Sequence, residues 1–147
     1  MSGQLINVWR EERRRDIDAH WREERFDVHI AVLAAFRDWE RALEKPVAAR
    51  ETGHEPGGLD ELRALDDRVQ QVLSGLMIFG PHTLAAAADD VYLEFRQCHD
   101  YALDLRDLRA PVKKQRYLGV LLLGLRQQVR EALQITAGPD VEVPVRV

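Results

Sequence analysis

The longest uninterrupted helical pattern in this chain runs from Gln4 to Glu44, a stretch without glycine or proline. In its second half, apolar residues recur at steps of three and four, which places them along one face of a helix. These residues are Val28, Val32, Ala35, Trp39 and Leu43. The pattern predicts a first helix over about 4–45, ended by Pro46, with its second half in a bundle core.

The first half of this stretch is charged instead, because residues 11–25 contain only two large apolar side chains, Ile17 and Trp21. Oppositely charged residues lie four positions apart here, as in Glu11 and Arg15. Each such pair stabilises a helix by about 0.2–0.5 kcal/mol. Pairs this weak do not hold a long exposed helix by themselves, so we expect another protein surface to cover the segment.

Three more apolar stripes predict helices over about 59–79, 81–107 and 111–135. Gly57 and Gly58 precede the first of them, and Gly80 and Pro81 separate it from the next. The stripes consist of Leu62, Leu65, Val69, Val72, Leu76 and Phe79, then Leu84, Ala88, Val91, Phe95, Cys98, Ala102 and Leu105, and finally Leu118, Leu125 and Val129. In the last helix, Gly119 and Gly124 indicate tight packing, since glycine weakens a helix that has no such need.

These elements predict an all-α fold, a four-helix up-down-up-down bundle with an extended first helix. We expect one domain over residues 1–147, with a loose tail at 136–147. The first helix would be about 60 Å long and the others about 30–40 Å, so it would project beyond them. The alternatives are a kink near Arg22 that folds the first half back, or fraying of that half.

The projecting part carries the candidate interface residues Ile6, Trp9, Ile17 and Trp21. Large apolar side chains on a charged helix suggest a seam for a partner, and a second copy of the chain is the simplest partner. Another helical protein would serve equally. We therefore predict a non-enzymatic protein-protein association module, most simply a homodimer through the long N-terminal helix.

The alternative function is small-molecule binding in a pocket between helices. Its candidate residues are Trp39, Tyr92, Phe95 and Tyr117. A carboxylate-rich metal enzyme is a third hypothesis, but the Glu-x-x-His pair that di-iron bundles place on two helices is absent from the sequence. We predict no catalytic residues, no metal site and no cofactor.

Two histidines have neighbours that invite a chemical interpretation. Asp16 and His20 lie four apart, which is typical of a surface charge pair. Cys98 and His99 are adjacent, so a helix points them about 100° apart, a poor arrangement for a nucleophile and its base. Cys98 lies on an apolar stripe and is expected to be an inert core residue. No sequence feature identifies a partner for His99.

Charge and composition limit the remaining classes. The net charge of -4 argues against a nucleic-acid surface. The one basic cluster consists of Arg106, Arg109, Lys113, Lys114 and Arg116, which we interpret as a solvated helix end, with binding of phosphate or an acidic partner as the alternative. A single cysteine fits a reducing cytoplasm. No apolar run approaches the roughly 20 residues that span a bilayer, so we expect no membrane insertion.

The chain also resembles the small, uncharacterised helical proteins common in actinobacteria and their mobile elements. The resemblance lies in three segments, WREERFDVHIAVLAAFRDW, LMIFGPHTLAAAADDVY and LLLGLRQQVREALQI. It covers most of residues 20–135 and includes an arginine followed by a leucine in the last segment, here Arg130 and Leu133. The resemblance implies a helical bundle and assigns neither an activity nor a site.

Overall fold

The computed structural model of this chain describes residues 2–103 and 107–137, with side chains at 4–103 and 107–134. Four helices account for nearly all of these residues. They are α1 at Ser2–Glu51, α2 at Leu59–Phe79, α3 at His82–Ala102 and α4 at Pro111–Ala137. They pack against one another, and the part of the chain described here contains no strand. The predicted all-α four-helix bundle is confirmed.

Each helix contacts the next helix in the chain, and α4 contacts α1, so the four helices form a closed bundle. Arg68 of α2 contacts Asp38 of α1, and Tyr92 of α3 contacts Asp66 of α2. Lys114 of α4 contacts Glu94 of α3, and Gln115 of α4 contacts the carbonyl of Glu40 in α1. Short connections and these pairings make neighbouring helices antiparallel.

Aromatic side chains from α1 and α3 fill the centre of the bundle. The Trp39 and Phe95 ring centroids lie 5.3 Å apart, and those of Phe36 and Phe95 lie 5.1 Å apart. All three side chains are fully buried. Burying a side chain of this kind contributes about 1.5–3 kcal/mol, so the predicted apolar stripes supply the main stabilisation of the fold.

The predicted end of the first helix near residue 45 is wrong, because Pro46 lies inside α1 and the helix continues to Glu51. A proline inside a helix lacks one backbone donor and crowds the carbonyl four residues back, at a cost of about 3 kcal/mol. Tertiary contacts offset this cost. Pro46 and Val47 are buried, and Arg50 Nε donates to the carbonyl oxygen of Ala102 at 3.1 Å.

The same contact explains why α3 ends at Ala102 and not at the predicted residue 107, which is not helical. The side chain of Arg50 satisfies a carbonyl that would otherwise accept from the next turn of the helix. At the other boundary, α4 extends to Ala137 rather than 135. Residues 138–147, most of the predicted tail, lie outside the described residues.

Close packing requires glycine at Gly80 and Gly119 but not at Gly124. A Cβ atom on Gly80 would lie 2.7 Å from the carbonyl oxygen of Leu76, so only glycine fits the turn between α2 and α3. On Gly119 it would lie 3.1 Å from Glu40 Oε1, as tight packing predicts. Gly124 has no atom within 4 Å of that position, so the prediction of tight packing there is wrong.

The first helix outruns its neighbours, and no break interrupts it near Arg22. Its 50 residues give about 75 Å, whereas the 21 residues of α2 and α3 give about 32 Å and the 27 residues of α4 about 40 Å. The end of α2 reaches Trp21, whose ring lies 5.1 Å from that of Phe79. Counting from the Gly119–Glu40 contact, α4 also ends level with about residue 22.

Replacing Pro46 by alanine tests how the end of α1 is stabilised. The change restores a backbone donor and removes the ring clash, whereas loss of the buried ring costs about 1–2 kcal/mol of packing. We expect the free energy of unfolding to rise by about 1 kcal/mol in urea titrations followed by circular dichroism. The exposed neighbour Lys45→Ala is the control and should change it by less than about 0.5 kcal/mol. A destabilised P46A variant would contradict this account.

Candidate association surface and buried polar network

The first candidate site is the projecting segment, which we define as residues 4–20 of α1. Every side chain in it is exposed. It is about 25 Å long and extends past the level at which α2 and α4 end. Three of the predicted interface residues, Ile6, Trp9 and Ile17, lie on it, and their side chains are 49–58% exposed. Among residues 4–103 and 107–134, none covers the large apolar side chains of this part of α1.

Trp21 differs from the other three interface candidates. The sequence places it beyond the reach of the later helices, but its ring packs against Phe79 at the end of α2. It is still 44% exposed, since one neighbour covers only part of an indole. Trp21 therefore lies at the junction between the bundle and the projecting segment, and its free surface is continuous with that segment.

An eleven-residue interval connects the projecting segment to the core. Ile6, Ile17, Val28 and Trp39 follow one another at this spacing, as do Trp21, Val32 and Leu43. Eleven residues complete three helical turns almost without angular drift. Val32, Trp39 and Leu43 are fully buried beneath the other helices, and Val28 packs against them. Ile17 and Ile6 therefore continue the core-facing side of α1 past the end of the bundle.

Further apolar side chains are exposed at both ends of the projecting segment. Leu5 and Val8 lie with Ile6 and Trp9 in its first turns. Met77 and Ile78, in the last turn of α2, are 72% and 71% exposed close to the junction. Large exposed apolar groups that cluster in this way are typical of interaction sites.

The second candidate site is a buried polar network between α2 and α3. Its centre is Asp66, which is 6% exposed. Three donors reach its carboxylate: Tyr92 Oη at 2.8 Å, Arg96 Nη1 at 2.6 Å and Gln70 Nε2 at 3.2 Å. Arg96 also donates through Nε to Asp100 Oδ1 at 3.0 Å. A buried carboxylate is stable only when it is paired and hydrogen-bonded in this way.

The network extends through His99 to the aromatic core. Trp39 Nε1 donates to His99 Nδ1 at 3.3 Å. Because an indole can only donate, Nδ1 accepts and the neutral ring carries its proton on Nε2. Nε2 faces Asp66 Oδ2 at 3.9 Å. Asp66 is thus the charged partner of His99 that the sequence could not identify.

Burial lowers the pKa of His99 below its usual 6.5, because the surrounding core disfavours the charged ring. Asp66 and Asp100 oppose this effect, while Arg96 and Arg63 reinforce it. Burial also raises the pKa of the neighbouring Cys98 thiol to about 11. A thiol with so high a pKa is a poor nucleophile, as expected for a core cysteine.

Sequence reasoning missed Asp66 and Arg96. Asp66 lies four residues after Leu62 and three before Val69, on the predicted core stripe of α2. A charged residue at such a position is a signal for a buried partner. The identity of that partner depends on how α3 is aligned against α2, which periodicity does not specify. On the surface of α1, His20 lies 3.9 Å from Glu24.

The pocket candidates do not form one site. Trp39, Tyr92 and Phe95 come together, with ring centroids 5.7 Å apart for Trp39 and Tyr92. Tyr117 is exposed on α4, with the ammonium of Lys114 6.0 Å from its ring centroid. A groove of about 280 Å³ does open between α3 and α4. It is lined by Ala87, Asp90, Val91, Val120, Leu121, Gly124, Leu125 and Gln128, and by none of the four candidates.

The basic cluster is partly neutralised. Arg109, Lys113 and Arg116 are exposed around the start of α4. Lys114 instead forms an ion pair with Glu94 of α3. Arg106 lies outside the described residues. Within the described ranges, no group of three or more His, Cys, Asp or Glu side chains converges to hold a metal ion.

The chain matches no protein family model, no curated protein and no solved structure. The resemblance to small actinobacterial helical proteins therefore stays a prediction. Over residues 2–103 and 107–137, no helix has the combination of length and apolar content needed to cross a membrane.

Removing the Asp66 carboxylate tests the network. We expect Asp66→Ala to lower the free energy of unfolding by about 2–3 kcal/mol, since three hydrogen bonds are lost and Arg96 loses its most buried partner. Asp67→Ala is the matched control, because Asp67 is the exposed neighbour on the same helix turn. It should change stability by less than about 0.5 kcal/mol in the same denaturant titration. Equal effects of the two changes would exclude a structural role for the network.

The lowered pKa values predict that acid weakens the fold. Above about pH 6.5 His99 is neutral in both states, and below it the unfolded chain binds a proton that the native chain does not. Stability therefore falls as the pH decreases from about 7 to 5. Burial lowers the pKa of His29 too, so it adds to the same slope. Urea midpoints across this range should decline less in His99→Gln than in the wild type. Identical pH profiles would contradict the assignment.

Proposed function

We propose that this chain is a protein-association module without an enzymatic activity of its own, and that it pairs with a second copy through the projecting segment. The observation that supports this is the continuation of the core-facing side of α1 beyond the bundle. Ile17 and Ile6 repeat the positions of Val28 and Trp39 at eleven-residue intervals, but solvent replaces the helices that cover those residues.

Energetic considerations favour a covered state. Fully burying a side chain such as Ile17 or Trp9 contributes about 1.5–3 kcal/mol, and a symmetric dimer buries each twice. Charge pairs along the segment contribute only about 0.2–0.5 kcal/mol each. Burial in an interface is thus the larger stabilising contribution available to this part of α1.

The charge pattern favours a second copy over a strongly charged partner. Residues 10–25 contain six arginines and six acidic residues. A neutral segment with interspersed signs neither repels its own copy nor attracts a polyanion such as nucleic acid. Self-association through such a helix needs no partner of opposite net charge.

Sedimentation of the full chain tests the proposal. We expect the wild type to have twice the mass of one chain, and Ile17→Glu to raise the dissociation constant by at least about 100-fold, because each dimer would bury two unpaired carboxylates. Ala19→Glu is the matched control. It makes the same charge change on an exposed residue about 160° around the helix from Ile17 and should leave the mass unchanged.

Circular dichroism should show the same helix content in both variants. A wild type that sediments as one chain while its far-ultraviolet spectrum indicates a full-length α1 would exclude the proposal. Equal loss of association in Ile17→Glu and Ala19→Glu would instead assign the effect to charge and not to this face of the helix.

A further inference from the structure

The bundle limits the directions from which a partner helix can reach Ile6 and Ile17 on the projecting segment. Because Ile6 and Ile17 share the core-facing side of α1 with Val28 and Trp39, they face the axial continuation of the bundle. The end of the bundle bounds this space on one side. That end comprises the last turn of α2, the Gly80–Pro81 turn, the beginning of α3 and the end of α4. A helix that covers the projecting segment must therefore approach the bundle end-on.

From this restriction we infer that the second copy runs antiparallel, so that the tip of each α1 meets the bundle end of the other copy. This inference rests on the self-association proposed above. Here the tip means Leu5, Ile6 and Trp9, and the bundle end means Trp21, Met77, Ile78 and Phe79. In a parallel pair, the three short helices of both copies would begin at the same level and occupy the same space. In an antiparallel pair, the two bundles point away from each other.

Exposed apolar residues fit the antiparallel arrangement. They concentrate at the tip and at the bundle end, with the charged residues 10–16 between them. Antiparallel overlap of residues 5–21 in the two copies places Leu5 of one copy level with Trp21 of the other. The same overlap places Trp9 level with Ile17. The twofold axis then passes close to Arg13, whose guanidinium lies 5.1 Å from the centroid of the Trp9 ring.

The order of charges favours the same register. Reversal about Arg13 brings Glu11 level with Arg15 of the second copy, and Glu12 level with its Arg14. A parallel pair would instead set glutamates level with glutamates and arginines with arginines. Packed helices lie about 8–10 Å apart, which is within the screening length. The difference in electrostatic energy between the two arrangements therefore favours the antiparallel orientation. The two Arg13 side chains are the like-charge pair that remains on the axis.

Cysteine cross-linking tests the orientation. Cys98 is fully buried, so the wild-type chain serves as the unreactive control. Under mild oxidation, we expect a mixture of Ile6→Cys and His20→Cys chains to give at least about ten times more disulfide-linked dimer than either variant alone. Arg13→Cys should link to itself, because it lies near the axis.

Fluorescent labels far from the proposed interface give a second test of the orientation and leave the contacting residues unchanged. His54→Cys, in the exposed loop after α1, would carry a donor dye on one copy and an acceptor on the other. The antiparallel register separates the two labels by roughly 115 Å, so no energy transfer is expected. A parallel pair would bring them onto adjacent bundles and give efficient transfer.

The outcomes separate the two proposals. A wild type that sediments as a single chain overturns self-association itself. A dimeric wild type in which Ile6→Cys links to itself, or in which the loop labels transfer energy, overturns only the antiparallel orientation. A dimer in which Arg13→Cys stays unlinked overturns the register.

Discussion

The core-facing side of α1 is the constraint on which both the bundle and its projecting segment depend. Val32, Trp39 and Leu43 hold three shorter helices on this side. An α-helix keeps presenting the same side wherever the apolar spacing persists, and in this chain the spacing persists through Ile17 to Ile6. The neighbouring helices end near Trp21, but the pattern does not. The exposed apolar side of the projecting segment is therefore an extension of the core and not a separate motif added to it.

The network around Asp66 contributes something that apolar packing does not. Apolar side chains can slide past one another at small cost, whereas the hydrogen bonds from Tyr92 and Arg96 to Asp66 are directional. They fix one alignment of α3 against α2. The short Gly80–Pro81 turn fixes the same alignment at the other end of the pair. Together these contacts determine where the bundle end lies, and hence where the uncovered part of α1 begins.

The sequence predicts structure well wherever a local signal decides the outcome. Both ends of α2 are predicted, because Gly58 adopts a φ of 75° and Gly80 has no room for a side chain. The ends of α1 and α3 are mispredicted, because Arg50 joins them through a contact between residues distant in sequence. The grouping of Asp66, Arg96 and His99 was likewise unpredictable in detail, since it depends on the alignment of two helices. The exposure of Ile6, Trp9 and Ile17 beyond the other helices followed from composition and helix length, whereas the contact of Trp21 with Phe79 did not.

The bundle also stabilises the helical conformation of the projecting segment, which would be marginal in an isolated peptide. A helix of some 17 residues forms poorly in water, chiefly because its first turn must be nucleated. The projecting segment avoids this step, since it propagates from residues that the core already holds in helical form. Each charge pair then adds a small increment to an existing helix. The proposed association would therefore require less ordering of the backbone than folding a free peptide, and more of the free energy of burying Trp9 and Ile17 would be retained as affinity.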